Sequence, residues 1–501
     1  MRQLSNDEVI VLESQRCWAE DWSAVKVADG FDASAVRNTN FYGRVEIGEH
    51  CRISDVRILR GSGKKDMPKV ISVLNEGGDG NVVLCPELTA QLAWMMIHYH
   101  DIFMMVYEQH YHGDKGRCCR VGDYCVIEGA TKLEDCDIHG CEGAVTYIGP
   151  DVIMEKVVTA CGAEITDGAK VYDSFVGEAV HIGRGFVSES SLFFANTYMD
   201  NGEACAALCG PFTCSHHKST LLIGGQYSFY NAGSNTNQSN HAYKMGPIHW
   251  GTLERGVKTA SGCHILWPAT IGMFSMVMGK LTQHPDLSRL PFSYVMASQD
   301  RTYVVPGVNI KTVGIWRDIT KWPRRDSRKE VASNDIITFD FPNPLILQSV
   351  KKGKELLERL VAEQGECEEY HYQKCLIKKN ALDNGIRYYE LIEALCDCEW
   401  ADKEYVDMLG FVVERKDIDT VVRRVNSGFV NDSAALVAAI SALRRGYPVR
   451  NIDQKAYLRW IDMVKADAKK EYNMGDVSEE QLDEFISGVR WRTAVQLYKN
   501  Q

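Results

Sequence analysis

The sequence predicts a mainly β protein: a left-handed parallel β-helix that carries a helical insertion and is followed by a C-terminal α-helical domain. Three observations lead there. A six-residue repeat recurs through to about residue 320, one long lapse in it reads as helix, and the periodicity turns helical after about residue 345.

The repeat consists of an aliphatic residue, then Gly or a small polar residue, two free positions, a small residue and one more free position. It is met by IGEHCR from Ile47, VGDYCV from Val121, IEGATK from Ile127, LEDCDI from Leu133, IGPDVI from Ile148, ITDGAK from Ile165, VGEAVH from Val176, IGRGFV from Ile182 and IGMFSM from Ile271. Three such sides make a triangular coil of about 18 residues, and coils stack as parallel strands about 4.8 Å apart. The aliphatic residue fills the interior, the small residue fits the corner, and Gly supplies turn conformations. On this basis Gly183 and Gly185 are read as turn residues, since IGRGFVSES lacks a complete GxGxxG. An N-terminal segment, 1–43, is expected to precede a β-helix over 44–320.

Between about 63 and 120 the pattern lapses. GSGKK and EGGDG are followed by a helical stretch over 86–112, with Pro86 suited to its first turn. After the β-helix, 321–344 reads as a linker and 345–501 as the α-helical domain. Leu347, Val350, Leu357, Leu360 and Val361 recur at helical spacing, as do Ala435, Leu436, Ala439, Ile440 and Leu443 after the capping residues Asn431 and Asp432. A stack of parallel coils leaves open backbone at its ends, so the helical domain is expected to cap one of them.

Composition excludes several classes of function. The 56 Lys+Arg against 67 Asp+Glu give a net charge of -11, which supplies no overall field for nucleic acid. LTAQLAWMMIHYHDIFMMVY approaches membrane-spanning length but carries Gln91, His98, His100 and Asp101, so no membrane span is expected. The N-terminus has no basic start and no apolar run, and the 17 cysteines are odd in number without a CxxC pair; reduced thiols in a cytoplasmic protein are expected. Cys205, Cys209, Cys214, His216 and His217 match no zinc module and read as packing, so no metal is assigned.

Functional residues crowd together between Phe229 and Lys280, where the repeat weakens. Asn231, Asn235, Asn237 and Asn240 can donate and accept hydrogen bonds, and the Asn-rich run also suits coil corners. His241, His249 and His264 can move protons near neutral pH, Lys244, Arg255 and Lys258 can hold anions, and Trp267 offers a flat face. Such a set suits a cleft for a polar, anionic small molecule.

The repeats resemble the hexapeptide-repeat superfamily of trimeric left-handed β-helix proteins, which includes many acyltransferases. The stretch from IGMFSMVMGK through LPFSYVMASQDRTYVVPGVNIKTVGIWRD resembles the end of the β-helix in UDP-N-acetylglucosamine acyltransferases, through Pro291, Tyr294, Gly307, Val308, Asn309 and Arg317. The whole chain is also similar to a large bacterial hexapeptide family. The resemblance implies a homotrimer and an acyl transfer to a sugar, sugar phosphate or nucleotide-linked acceptor, with acyl-CoA or acyl carrier protein as the donor. In that reading His241 is the general base, Glu254 stabilises its imidazolium, Asn240 holds the oxyanion and the remaining residues bind substrate. Two alternatives stay open: a non-catalytic assembly protein, and a metal-dependent hydratase on the same fold in which His216, His241 and His264 would meet at a subunit boundary.

Overall fold

The computed structural model describes residues 1–64, 69–74, 80–110, 117–239, 249–329, 334–397, 403–447, 451–471, 478 and 480–482. The expected parallel β-helix is present as a solenoid of about 14 turns. Its register makes the logic of the repeat visible as ladders of stacked side chains. One interior ladder runs from Val27 through Ile47, Val121, Ile138, Thr159, Val176, Phe193, Cys209, Tyr227, Leu253 and Ile271 to Leu287, each residue in parallel register with the next. All are buried, and burial of such apolar side chains contributes about 25 cal/mol per Å². Asp, Asn, Lys, Arg and Ser occupy the left-handed corners, among them Asp151, Lys156, Asp167, Arg184, Ser190 and Asn196.

The parallel pairing begins upstream of residue 44. Helix α1 (Asn6–Ser14) starts with a capping box between Ser5 and Glu8. Trp18–Ala19 then pairs in parallel with Asn40–Gly43, and Val25–Val27 with Val45–Ile47. These first coils lack the Gly-rich template, so their period is hidden in the sequence.

The insertion leaves and re-enters the solenoid at one point, where Gly63 N–H donates to Arg117 O at 3.2 Å and Arg117 N–H donates to Lys64 O at 2.8 Å. It begins with an antiparallel hairpin of Lys69–Val73 and Gly80–Leu84, not with helix. The expected single helix is two, α2 (Ala90–His98) and α3 (His100–Gln109), separated at Tyr99. Thr89 rather than Pro86 starts the first, its hydroxyl accepting from Leu92 N–H. The insertion packs on the outer face of the solenoid, sharing a second hydrophobic core with Val158, Phe175, Leu192, Phe194 and Leu208 and with Met408–Ile440 of the tail.

At the C-terminal end, α4 (Val313–Arg325) crosses into the stretch expected as a linker. That stretch is packed: Asp335 is buried, the Arg328 side chain is 6% exposed, and Asp335 accepts from Ala90 N–H at 2.7 Å and Ala195 N–H at 2.9 Å. The tail contains α5 (Pro344–Gln364), α6 (Lys379–Ala394), α7 (Arg415–Asn426), α8 (Ser433–Ser441) and α9 (Gln454–Glu471), with hairpins between them. One hairpin extends a face of the solenoid, since Tyr303 pairs in parallel with Leu376. Tyr389 of α6 donates to Pro291 O at 2.8 Å, and Asn309 of the Gly-Val-Asn turn donates to Phe274 O at 2.6 Å. Those exit-segment residues close the last coil. Among the described residues no helix is long and apolar enough to cross a membrane.

Candidate functional site

One face of the solenoid is built from strands whose interior residues are Ile148, Ile165, Ile182, Met199 and Ser215. The residue before each of these points the other way, because strand side chains alternate. The resulting outer ladder reads Glu164, His181, Tyr198, Cys214, Asn231, Lys258, Met276 and Tyr294, each in parallel register with the next. Its middle forms the floor of a cleft of about 800 Å³. The opposite wall comes from α4 and the segment after it, through Asp318, Lys321, Trp322, Arg325, Ser327 and Lys329.

The wall is fastened to the coils by polar contacts. Ser327 N–H donates to Asn196 Oδ1 at 2.9 Å, Asn196 Nδ2 donates to Asp326 Oδ1 at 2.9 Å, and Asn334 N–H donates to Glu178 Oε1 at 2.6 Å. Arg328 pairs with Asp326 at 2.8 Å and lies 3.7 Å from Glu178. Burial, and secondarily the nearby Asp335, push the Glu178 carboxyl up to about 7.

Within the cleft, His181 is the best placed proton-transfer group. Its ring stacks on Tyr198, with centroids 4.4 Å apart and planes at 18°. Nε2 lies 3.3 Å from Oδ1 of Asp200, whose side chain is 1% exposed, and Nδ1 lies 3.5 Å from Oε2 of Glu164, whose side chain is 53% exposed. The buried carboxylate cannot move away, whereas the exposed one can swing into solvent. The hydrogen-bond network therefore places the proton on Nε2 and leaves the Nδ1 lone pair to the cleft. Gly183 makes this geometry possible. A Cβ there would stand 2.9 Å from His181 Nε2 and 3.0 Å from Asp200 Oδ1. Gly185 is a turn residue at φ +73°, as expected, but Gly183 lies in a strand and is required for space.

The cleft is cationic on its far side. Arg184, Lys258, Lys321, Arg325, Arg328 and Lys329 line it, against Glu164, Glu178, Asp200 and Asp318. Lys258 pairs with the buried Asp318. Lys321 and Arg325 make no ion pair among the described residues, and burial holds the Lys321 ammonium below its ordinary value. Two unneutralised cations beside a proton acceptor suit an anionic ligand. Cys214 Sγ lies 3.2 Å from His216 Nδ1, but burial pushes this thiol up, which disfavours the thiolate.

Of the residues expected from the sequence, Asn231 and Lys258 stand in this cleft. Asn240, His241 and Lys244 lie outside the described residues. Arg255 does not line the cleft. It is buried and donates to Asp407, Thr338 O and Gly410 O. Trp267 is fully buried, its Nε1–H shared between Ile223 O and Gly224 O at 2.8 Å each, so its face is not offered to a ligand. Glu254 accepts from Met273 N–H at 3.1 Å, and burial pushes its carboxyl up to about 8; it does not line the cleft. Asn235 is a corner residue at φ +57°. Asn237 and His264 pair with each other on a different sheet from His181, and neither they nor His249 line the cleft. His216 follows the strand Cys214–Ser215, His264 begins a strand of a different sheet, and the two are not grouped as metal ligands within one chain among the described residues.

A family model described as a domain of unknown function (DUF4954) matches residues 1–67 and 107–361. The match skips the centre of the insertion and takes in the ladder, α4 and the wall. No curated protein matches the chain.

Proposed function

The chain belongs to the DUF4954 family, whose description assigns no activity, and we propose that its cleft is the active site of a transferase that moves an acyl group from a thioester to a phosphorylated sugar or nucleotide-linked acceptor. The observation that carries this reading is the pairing of His181 with the buried Asp200, across the cleft from Lys321 and Arg325. His181 takes the role expected of His241.

In the proposed reaction, Lys321 and Arg325 hold the acceptor's phosphate and Asn231 orients its polar groups. Nδ1 of His181 removes the proton from the acceptor hydroxyl or amine as that atom attacks the thioester carbonyl carbon. Asp200 retains the Nε2 proton and stabilises the imidazolium. The tetrahedral intermediate collapses with cleavage of the C–S bond, and the imidazolium returns its proton to the departing thiolate. No acyl-enzyme is needed. The homotrimer and the cytoplasmic location implied by the sequence belong to the same proposal. A sedimenting species of three 56.3 kDa chains would support the trimer.

The test is thiol release from acyl-CoA and from acyl carrier protein donors in the presence of sugar phosphates and sugar nucleotides. Acceptor-dependent release should fall roughly 100-fold or more in His181→Ala, the usual contribution of a positioned base. Its melting temperature should fall by a few degrees and not more, since the ring is partly exposed and Arg184 remains 3.4 Å from Asp200 Oδ2. Full turnover in His181→Ala overturns the mechanism. Saturable binding of a sugar phosphate without consumption of any donor would favour a binding protein instead.

A further inference from the structure

The insertion carries chemistry that the cleft does not use. Its hairpin ends at Leu84, and the next residues, Cys85-Pro86-Glu87, turn the chain into α2. The chain leaves α3 at His110, which brings this residue back beside the turn. One ligand atom from each of Cys85, Glu87 and His110 lies within 4.8 Å of the others. His110 Nε2 and Glu87 Oε2 are 3.6 Å apart.

We propose that Cys85 Sγ, Glu87 Oε2 and His110 Nε2 form a binding site for a divalent transition metal, with zinc as the best fit. Two ligands at about 2.0–2.2 Å from a tetrahedral zinc ion stand about 3.4 Å from each other. The His110 to Glu87 separation already meets that requirement, and small side-chain rotations close the rest. The donor set of thiolate, imidazole and carboxylate is one that zinc accepts, whereas magnesium and calcium take oxygen. One thiolate and one carboxylate also balance the charge of a divalent ion, which matters for a site whose sulfur is 1% exposed. Glu87 Oε2 is shut off from solvent and has no hydrogen-bond partner among the described residues, which is costly unless a cation meets it.

Binding replaces the thiol proton by the metal: the S–H bond breaks, the proton goes to solvent and the sulfur lone pair forms the metal bond. Without metal, burial first and Glu87 second hold the Cys85 thiol well above its ordinary value, so the site keeps a neutral thiol. Three protein ligands leave a fourth position, and the partly exposed Glu87 and His110 open it to water. The metal would clamp the end of the hairpin to the end of α3.

The experiment uses the full chain, purified under reducing conditions, loaded with zinc and passed through a desalting column before elemental analysis. About one zinc per chain should be retained, and Cys85→Ala and His110→Ala should each lower retention roughly ten-fold or more. Cobalt loading should give the thiolate-to-cobalt charge-transfer band, present in the parent and in Ser substitutions of other cysteines but absent from Cys85→Ala. If Cys85→Ala fails to fold, His110→Ala carries the test, because its ring is partly exposed and its loss leaves no cavity in the core. No metal retained by the parent chain, or retention equal in both variants, would overturn the proposal.

Discussion

Replacing Arg255 separates a structural role from a ligand-binding one. Its guanidinium leaves the solenoid and donates Nε to Asp407 Oδ2 at 2.9 Å, Nη1 to Thr338 O at 2.8 Å and Nη2 to Gly410 O at 2.7 Å. It also lies 4.5 Å from the ring centroid of Phe229 and is 4% exposed. Arg255→Ala removes every donor at once and strands a carboxylate that is only 19% exposed. Breaking a buried pair from one side costs about 3–5 kcal/mol. Unfolding entropy of about 2.1 cal/mol/K per residue amounts to on the order of 1 kcal/mol/K for 501 residues unfolding as one unit. The melting temperature should therefore fall by about 3–5 °C, read by calorimetry. Arg255→Met with Asp407→Leu should recover part of the loss, since the stranded charge is removed. Affinity for a sugar phosphate should fall only together with the melting temperature, since Arg255 does not line the cleft and reaches it only through the wall. A variant that melts like the parent but no longer binds anions would refute the structural assignment and restore Arg255 as a substrate ligand.

Gly183→Ala should push the His181 ring off Asp200 and lower turnover by about 10- to 100-fold, the worth of a hydrogen bond to a charged group; unchanged turnover would show that this contact does not orient the base. Glu178, raised from 4.5 to about 7, keeps a proton in the folded chain that the unfolded chain has released. Its contribution to stability is therefore present below about pH 4.5 and is lost as pH rises to about 7. Subtracting the stability-pH curve of Glu178→Gln from that of the parent should give a line that declines across that window, and a rising or flat difference would contradict it.

The interior of the fold was legible because the solenoid repeats one physical requirement, an aliphatic residue every coil. Ile47, Val121, Ile148, Ile165, Val176, Ile182 and Ile271, marked by the repeat, all lie in its buried ladders. The first coils were not, since Trp18, Val25 and Val36 pair in parallel without the Gly and small residues that make the template visible. Asn231 and Lys258 were found by residue type, and they are the lower half of the outer ladder. The upper half had a signal in the same repeat. His181 and Glu164 each precede an interior isoleucine, so the site could have been sought one residue before the buried position. What no local pattern carries is the wall. Lys321 and Arg325 meet the ladder only because α4 folds back along the coils, a contact between residues more than a hundred positions apart. Arg255 and Trp267 were misread for the opposite reason: their chemistry suits a ligand, but buried backbone carbonyls had already claimed their N–H groups.

The wall also explains why so much chain lies outside the solenoid. A row of parallel coils offers a flat face, and a flat face cannot exclude water from a reacting group. The cleft exists only where a second surface stands against His181 and Tyr198, so the position of α4 and the segment after it sets its shape. That segment is held from three directions. Asn196 and Glu178 of the coils bind it directly, the N-terminus of α2 in the insertion donates Ala90 N–H to Asp335, and Gln91 donates to Ile336 O at 3.1 Å. The tail completes the fastening: Thr338 N–H donates to Gly410 O at 2.9 Å, and Arg255 ties both of those residues to the coil. The insertion and the tail therefore act on the site through the wall, as positioning elements that touch no ligand. Loosening them should widen the cleft and weaken substrate binding while leaving the His181 to Asp200 contact, which belongs to the coils alone, in place.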